Sequence, residues 1–361
     1  MLNPKSAGAV LILVALAGPA TAQEPADRRG AVQERADVER VILDAHVMGS
    51  DGNPIPNLGP ADFLVTIDGK PVALESVDWL PAGTPEVDAA AVAALAPADG
   101  AAPASEVAPG RLIVFFFQTE HEVSRLTGLL RMGLQAHRFL ATLQPTDRVA
   151  VVSFDSKLKL RQDFTDDRAK IDAAIDAAIR RGDPPAPDPD SHPALAKHLD
   201  QAAARKCATP ERALEVLARA LVPIAGGKTL LYFGWGLGTV GGMTGPNASE
   251  QKAWTEAMYR MSEARTTIFT LDVTDADYHS LEGSIQQIAE LTGGTYYKTH
   301  LFPDLAMNLV GKAISGRYVL VLVKPPGPRG EHSVEIALAG KKGRVISRQY
   351  FVDTEPASAA Q

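Results

Sequence analysis

The sequence predicts a doubly wound, mostly parallel α/β sheet inserted into a small discontinuous β-sandwich. Three observations carry this. Leu112 to Phe117 is an unbroken apolar run, β-branched and aromatic, of the kind that forms a central strand buried on both faces of a parallel sheet. From Arg111 to Ile314 strand-like and helix-like patterns alternate, which is the mark of βαβ winding. Outside that stretch the alternation stops and short strand-like runs take over, each group too small to bury a core alone.

In chain order, Val41, Leu43, Ala45 and Val47 alternate with Ile42, Asp44 and His46, a strand pattern. Asp51-Gly52-Asn53-Pro54 is a turn, Phe63, Val65 and Ile67 alternate again, and Asp68-Gly69 turns the chain into Val72 to Val77. Pro81 to Gly110 is rich in Ala and Pro and reads as a linker, with a helix-compatible pattern at Val87 to Leu95. After the central strand and the polar turn Gln118 to Glu122, Leu126, Leu129, Leu130, Leu134, Phe139 and Leu140 recur at helical spacing over Val123 to Leu143. Asp147 to Asp155 is a second buried strand, and Leu158 and Leu160 alternate with Lys157, Lys159 and Arg161 as on an edge strand. Thr165-Asp166-Asp167 caps a helix with Ile171, Ala174, Ile175 and Ile179 on one face.

Gly182 to Pro193 is a loop, Ala194 to Lys206 a helix, and Thr209-Pro210 opens another helix that runs to about Leu221. Strands follow at Thr229 to Phe233 and Thr267 to Val273, with a helix from Ser249 to Glu263 between them. A helix from Leu281 to Leu291 stops at Gly293-Gly294, Tyr296 and Tyr297 form a short strand, and Phe302 to Ile314 is the last helix. Tyr318 to Val323, Ser333 to Leu338 and Val345 to Phe351 are then three strands that complete the N-terminal β segment. The expected divisions are 1–22 signal, 23–37 leader, 38–80 first sandwich half, 81–110 linker, 111–314 α/β domain, 315–353 second sandwich half and 354–361 tail.

Composition narrows the function. The 361 residues carry a net charge of −7, which argues against nucleic-acid binding, since phosphate recognition needs clustered Lys and Arg. The small cluster Lys341, Lys342 and Arg344 suits a hairpin tip as well as a partner. Lys5, the apolar run Ala9 to Leu16 and Ala20-Thr21-Ala22 read as a secretory signal cleaved after Ala22; an uncleaved anchor is the alternative, with an apolar run short for a span. No later stretch has the roughly 18 apolar residues of a membrane helix, so the expectation is an exported, periplasmic or secreted protein without stable membrane insertion. Cys207 is the single cysteine, so stability rests on packing, and a buried structural role is expected for it.

The order of motifs resembles von Willebrand factor type A domains. Asp147 to Asp155 looks like their second strand, and Leu281 to Tyr297, through Ile288-Ala289 and Thr292-Gly293-Gly294-Thr295, resembles their late helix, glycine turn and strand. Gly52-x-Pro54-x-x-x-Leu58, Asp62-Phe63, Asp68-Gly69-Lys70 and the three closing strands are similar to a bacterial exported family of such proteins, over roughly Val38 to Val352. In the wider von Willebrand factor type A family the first strand ends in Asp-x-Ser-x-Ser, which with a Thr and an Asp from two further loops holds Mg²⁺ and leaves a position for a partner's carboxylate. The aligned residues here are Gln118, Glu120 and Glu122; the loop that often supplies the Asp reads Gly234-Trp235-Gly236, and no Thr stands in the remaining loop. Mg²⁺ takes near-octahedral oxygens at about 2.1 Å, which short serine hydroxyls at alternate positions fit; two longer, charged glutamates could ligate directly, but with a different geometry. The expectation is therefore a degenerate adhesion site and no cofactor. A rebuilt site for Mg²⁺, or for another metal at Glu120, His121 and Glu122, is the alternative. Glu122 also suits a helix start, and His121 a solvated turn.

Other chemistry finds little support. His121-Glu122 lacks the second zincin histidine, because Arg125 stands in its place. Ser153 and Ser156 lack a nucleophile elbow. Gly236-x-Gly238-x-x-Gly241 matches a dinucleotide fingerprint in letters, but it follows a late strand, does not run straight into a helix and has no acidic residue suitably downstream. Asn247-Ala248-Ser249 is a glycosylation sequon, expected to be silent in a bacterial-type export context. Asp275, Asp277 and His279 suit a polar turn capping a helix better than a metal or acid/base group. Trp235 either packs in the core or, if exposed, makes the crevice an apolar contact surface. No enzymatic constellation emerges. The expected function is an exported protein-binding module that contacts an unidentified protein through Gln118, Glu120, Glu122 and Trp235 with the Gly238–Gly245 loop. The alternative is a metal-dependent adhesion or assembly factor.

Overall fold

In the computed structural model, residues 39–82, 84, 110–119, 123–181, 191, 193–238 and 248–353 are described. The signal and leader, the linker pattern at Val87 to Leu95, the turn residues Glu120, His121 and Glu122, most of the Pro-rich loop, the glycine loop beyond Gly238 and the tail fall outside them. The strands are β1 (Arg40–Met48), β2 (Phe63–Ile67), β3 (Lys70–Val72), β4 (Leu74–Pro81), β5 (Leu112–Gln118), β6 (Arg148–Phe154), β7 (Leu158–Thr165), β8 (Lys228–Gly234), β9 (Thr266–Asp272), β10 (Tyr296–Lys298), β11 (Gly316–Val323), β12 (Gly330–Leu338), β13 (Arg344–Ser347) and β14 (Tyr350–Asp353). The helices are α1 (Val123–Leu140), α2 (Arg168–Arg180), α3 (Gln201–Lys206), α4 (Pro210–Leu221), α5 (Ala248–Glu263), α6 (Glu282–Thr292) and α7 (Pro303–Ala313).

A six-stranded sheet has the order β10-β9-β8-β5-β6-β7. Its neighbours are parallel except β7, which runs antiparallel to β6 at the edge. Every residue of β5 is buried, as the apolar run requires. Alternate side chains feed two cores: Leu112, Val114 and Phe116 on one face, Ile113, Phe115 and Phe117 on the other. Across the β5–β8 register Phe116 stacks on Tyr232 at 5.0 Å and Phe117 on Phe233 at 4.7 Å. The chain reaches β6 and β8, on opposite sides of β5, by separate crossovers. That switch in winding opens a crevice beyond the ends of β5 and β8.

Two four-stranded antiparallel sheets, β13-β1-β11-β4 and β14-β12-β2-β3, combine strands from before and after the α/β stretch. They share a core that includes Leu43, Val47, Phe63, Ile67, Tyr318 and Ile336. Asp68 and Gly69 take positive φ, 50° and 73°, at the tight turn between β2 and β3. Pro81 pairs with Gly316, so the chain leaves for the α/β stretch and returns from it at adjacent points.

Five local expectations are corrected. Asp44 and His46, on the polar side of the β1 alternation, are not solvated. Arg265 and Arg317 hold the Asp44 carboxylate at 2.8 and 3.0 Å, and His46 Nδ1 lies 3.3 Å from the Gly316 carbonyl. The single strand read at Val345 to Phe351 is two strands in two sheets, β13 paired with β1 and β14 with β12. At the crossing Arg348 turns inward, where its guanidinium donates to the carbonyls of Ser262, at 2.8 Å, and of Ile42. Ala194 to Lys206 is broken into a 3₁₀ turn at Leu195–Lys197 and α3. The buried Asp163 carboxylate accepts from Leu195 and Ala196 N–H, and Asp200 starts the second piece by accepting from Ala202 and Ala203 N–H. Arg161, placed on the solvent side of β7, is buried with Nε donating to Ser153 Oγ at 2.7 Å. Finally, Leu130 and Leu134 of the α1 stripe are exposed, whereas Leu129, Phe139 and Leu140 are in the core.

Candidate functional site

The crevice at the ends of β5, β6 and β8 is an open cleft of about 590 Å³. Its polar and aromatic lining includes Gln118, Thr119, Arg125, Asp155, Arg181 and Trp235. Gln118 is the last residue of β5 and lies on the face that carries Phe116. Its carboxamide is buried, with the oxygen fully engaged. Oε1 accepts from Tyr232 hydroxyl at 2.9 Å, Trp235 N–H at 3.0 Å and Gly236 N–H at 3.3 Å, while Nε2 donates to the Gly236 carbonyl at 2.9 Å. One amide thus ties the end of β5 to the loop leaving β8. Gly234 makes room for it: a Cβ there would lie 2.6 Å from Gln118 Oε1 and 2.3 Å from the Tyr232 ring.

Trp235 is buried, and of the two readings left open for it the packed one holds. It belongs to the core around Phe117 and Phe233 and reaches the cleft with the remainder of its surface. Arg125, in the first turn of α1, lies with its guanidinium 4.9 Å from the indole centroid. On the β6 side Asp155 is held between Lys159 Nζ at 2.9 Å and Arg181 Nε at 3.1 Å, and Thr119 donates to the Phe154 carbonyl at 3.2 Å. Ser156, beside them, has a φ of 80°. Sequence reasoning missed Thr119, Arg125, Asp155 and Arg181. The rule that picked out Gln118, a polar residue just past an apolar strand, also selects Asp155 after β6; nothing in the sequence pairs it with Arg181.

Asp275, Asp277 and His279 do not cap α6, whose first turn has no side-chain cap. They tie the turn to its neighbours instead. Asp275 meets Arg131 at 3.3 Å, Asp277 meets His300 at 3.0 Å, and His279 Nε2 lies 2.8 Å from Asp272 Oδ2. Tyr296 hydroxyl donates to the same Asp272 oxygen at 2.9 Å, and burial together with the Asp272 charge pushes the phenol well above its ordinary range. Among the described residues no group of three His, Cys, Asp or Glu side chains is placed to hold a metal ion. Among them, too, no helix is long and apolar enough to cross a membrane.

No family model matches the sequence, and no curated protein does. Solved structures show a distant, low-identity relationship. A von Willebrand factor type A protein from Catenulispora acidiphila aligns at 11% identity and a TM-score of 0.40, over 83% of this chain and 74% of that one. The conserved hypothetical protein BatB from Bacteroides thetaiotaomicron aligns at 13% identity and 0.38, over 57% of this chain and 98% of its own. PilB minor pilin from Streptococcus sanguinis aligns at 11% identity and 0.36, over 61% and 63%.

Proposed function

We propose that this chain is an exported binding module whose α/β domain contacts another protein at the strand-end cleft without a metal bridge. The observation that supports this best is the state of Gln118. It stands where the resembling family carries its first metal ligand, and its side-chain oxygen already accepts three hydrogen bonds. An acceptor so engaged has no lone pair for a cation. The contacting face comprises Gln118 as its brace, Trp235 with Arg125 over it, Asp155, Ser156 and Arg181 on the β6 side, and, from the sequence, Glu120, Glu122 and the stretch from Gly238 to Gly245. The two antiparallel sheets act as a discontinuous β-sandwich that carries the α/β domain as an insertion between residues 80 and 315.

Two experiments test this. Affinity capture from the exported fraction compares the native protein with a chain in which Arg125, Asp155, Ser156 and Arg181 are all Ala; the partner is expected to be lost with the cleft, and its retention would refute the location. Calorimetric titration with Mg²⁺, Ca²⁺ and Mn²⁺ is expected to give no heat and no shift in melting temperature at millimolar ion. Saturable heat with any of the three would favour the rebuilt metal-dependent adhesion site instead.

A further inference from the structure

Arg348, at the crossing between β13 and β14, is an inward-turned cation without a carboxylate of its own. Its two terminal nitrogens are spent on neutral groups. One donates to the Ser262 carbonyl at 2.8 Å and lies 3.3 Å from the Ser262 hydroxyl; the other donates to the Ile42 carbonyl. The nearby carboxylate, Asp44, is held by Arg265 at 2.8 and 2.9 Å and by Arg317 at 3.0 Å. Arg348 Nε is left over, buried and without a hydrogen-bond partner among the described residues. The hydroxyl of Tyr350, a residue only 7% exposed, is in the same state. Burial outweighs the pull of Asp44 and, with the Arg265 charge, brings the Arg348 pKa down to about 10.

Arg348 and Tyr350 line one small cavity of about 10 Å³, together with Asp44, Ser262, Arg265 and Thr266. The cavity lies where β1, the end of α5, the start of β9 and the β13–β14 crossing meet. Thr266 pairs with Lys228 at the starts of the parallel strands β9 and β8, so this is the opposite end of the sheet from the cleft. Its size admits one water-sized body and shuts out sulfate, phosphate or a carboxylate-bearing metabolite. Its chemistry favours an anion over water. Either could accept from the two unpaired donors, but only an anion also supplies the charge that the guanidinium lacks.

We propose that this cavity is a monatomic-anion site, occupied by a halide such as chloride, with Arg348 Nε and the Tyr350 hydroxyl as its donors. The ion pins the β13–β14 crossing to the end of α5 and so joins the antiparallel sheets to the α/β stretch. The test is the melting temperature of the full chain in millimolar sodium chloride or sodium bromide, against sodium methanesulfonate at matched ionic strength. Screening of exposed ion pairs is then the same in each salt. A saturable rise is expected with the two halides and none with methanesulfonate, which is too large for the cavity. Tyr350→Phe keeps the ring and removes only the unpaired hydroxyl, so it is expected to fold normally and to weaken the halide by at least about threefold. Crystals of the wild-type chain grown in bromide are expected to show an anomalous peak in the cavity, within hydrogen-bonding reach of Arg348 Nε. Identical melting in halide and methanesulfonate overturns the proposal. So does a halide effect that Tyr350→Phe leaves unchanged, or a cavity in the bromide crystals that holds water without anomalous signal.

Discussion

The side-chain oxygen of Gln118 accepts the backbone N–H of Trp235 at 3.0 Å, and its side-chain nitrogen returns a bond to the next residue's carbonyl at 2.9 Å. A carboxylate here could accept but not donate, and a serine could not span the gap. Glutamine has one group of each kind at the right reach, so it closes the crevice floor by a bridge within the protein. Gln118→Leu keeps the volume and strands the loop's buried polar groups. The expected loss is about 1–3 kcal/mol for each group left unpaired, read as a lower urea midpoint. Gly234→Ala is expected to destabilise through the same bridge, because its Cβ overlaps Gln118 Oε1 and the Tyr232 ring. Wild-type midpoints for both variants would contradict the bracing role.

Asp44 makes a second prediction. Burial alone would raise its pKa, but Arg265 and Arg317, with Arg348 behind them, outweigh that and hold the carboxyl well below its ordinary range. A carboxylate whose folded pKa is depressed contributes stability above the unfolded value, and that contribution is lost as pH falls from about 4 toward the folded value. Asp44→Asn is expected to abolish this acid-dependent portion. It also leaves two arginines facing a neutral group at neutral pH, a loss of about 3–5 kcal/mol. Urea unfolding at several pH values separates the two effects.

His46 acts in a different window. Burial first, and the Arg317 charge second, lower its pKa. The unfolded chain then binds the proton more readily than the folded one, so stability falls as pH drops below about 6.5 and levels off under the folded pKa. His46→Gln is expected to flatten the stability profile between there and the Asp44 range. An imidazole titration by NMR that gives an ordinary or raised pKa would contradict the assignment.

Cys207 is expected to be unreactive in the native protein. Burial pushes its thiol pKa up, and Sγ accepts from Leu158 N–H at 3.2 Å while donating to the Ala204 carbonyl at 3.0 Å. Labelling by a thiol reagent should proceed at the rate of unfolding and reach one equivalent in guanidinium. Rapid labelling in native buffer would show that the α3 region opens on its own.

Much of this fold was legible because periodicity is local. The buried run at β5 identified itself as central, and the caps at Asp167 and Thr209 and the left-handed stop at Gly293 lie where their residue types demand. The misreadings share one cause. Val345 to Phe351 has the pattern of one strand; β13 pairs with β1 and β14 with β12, and at the crossing Arg348 is held by the carbonyls of Ser262 and Ile42. Leu130 and Leu134 fit the stripe, but the stripe is wider than the face α1 turns to the sheet.

By itself the sequence determined the element types, their order and the strand end at which a crevice would open, since spacing and turn chemistry act over a few residues. Only the tertiary structure decided what occupies that crevice and what lies beneath β1. Gln118 meets the loop of Gly236, 118 positions away, and Asp44 meets Arg265, 221 positions away. Whether a polar side chain is a ligand, a brace or a buried ion partner depends on which distant groups fold against it, and no local pattern encodes that.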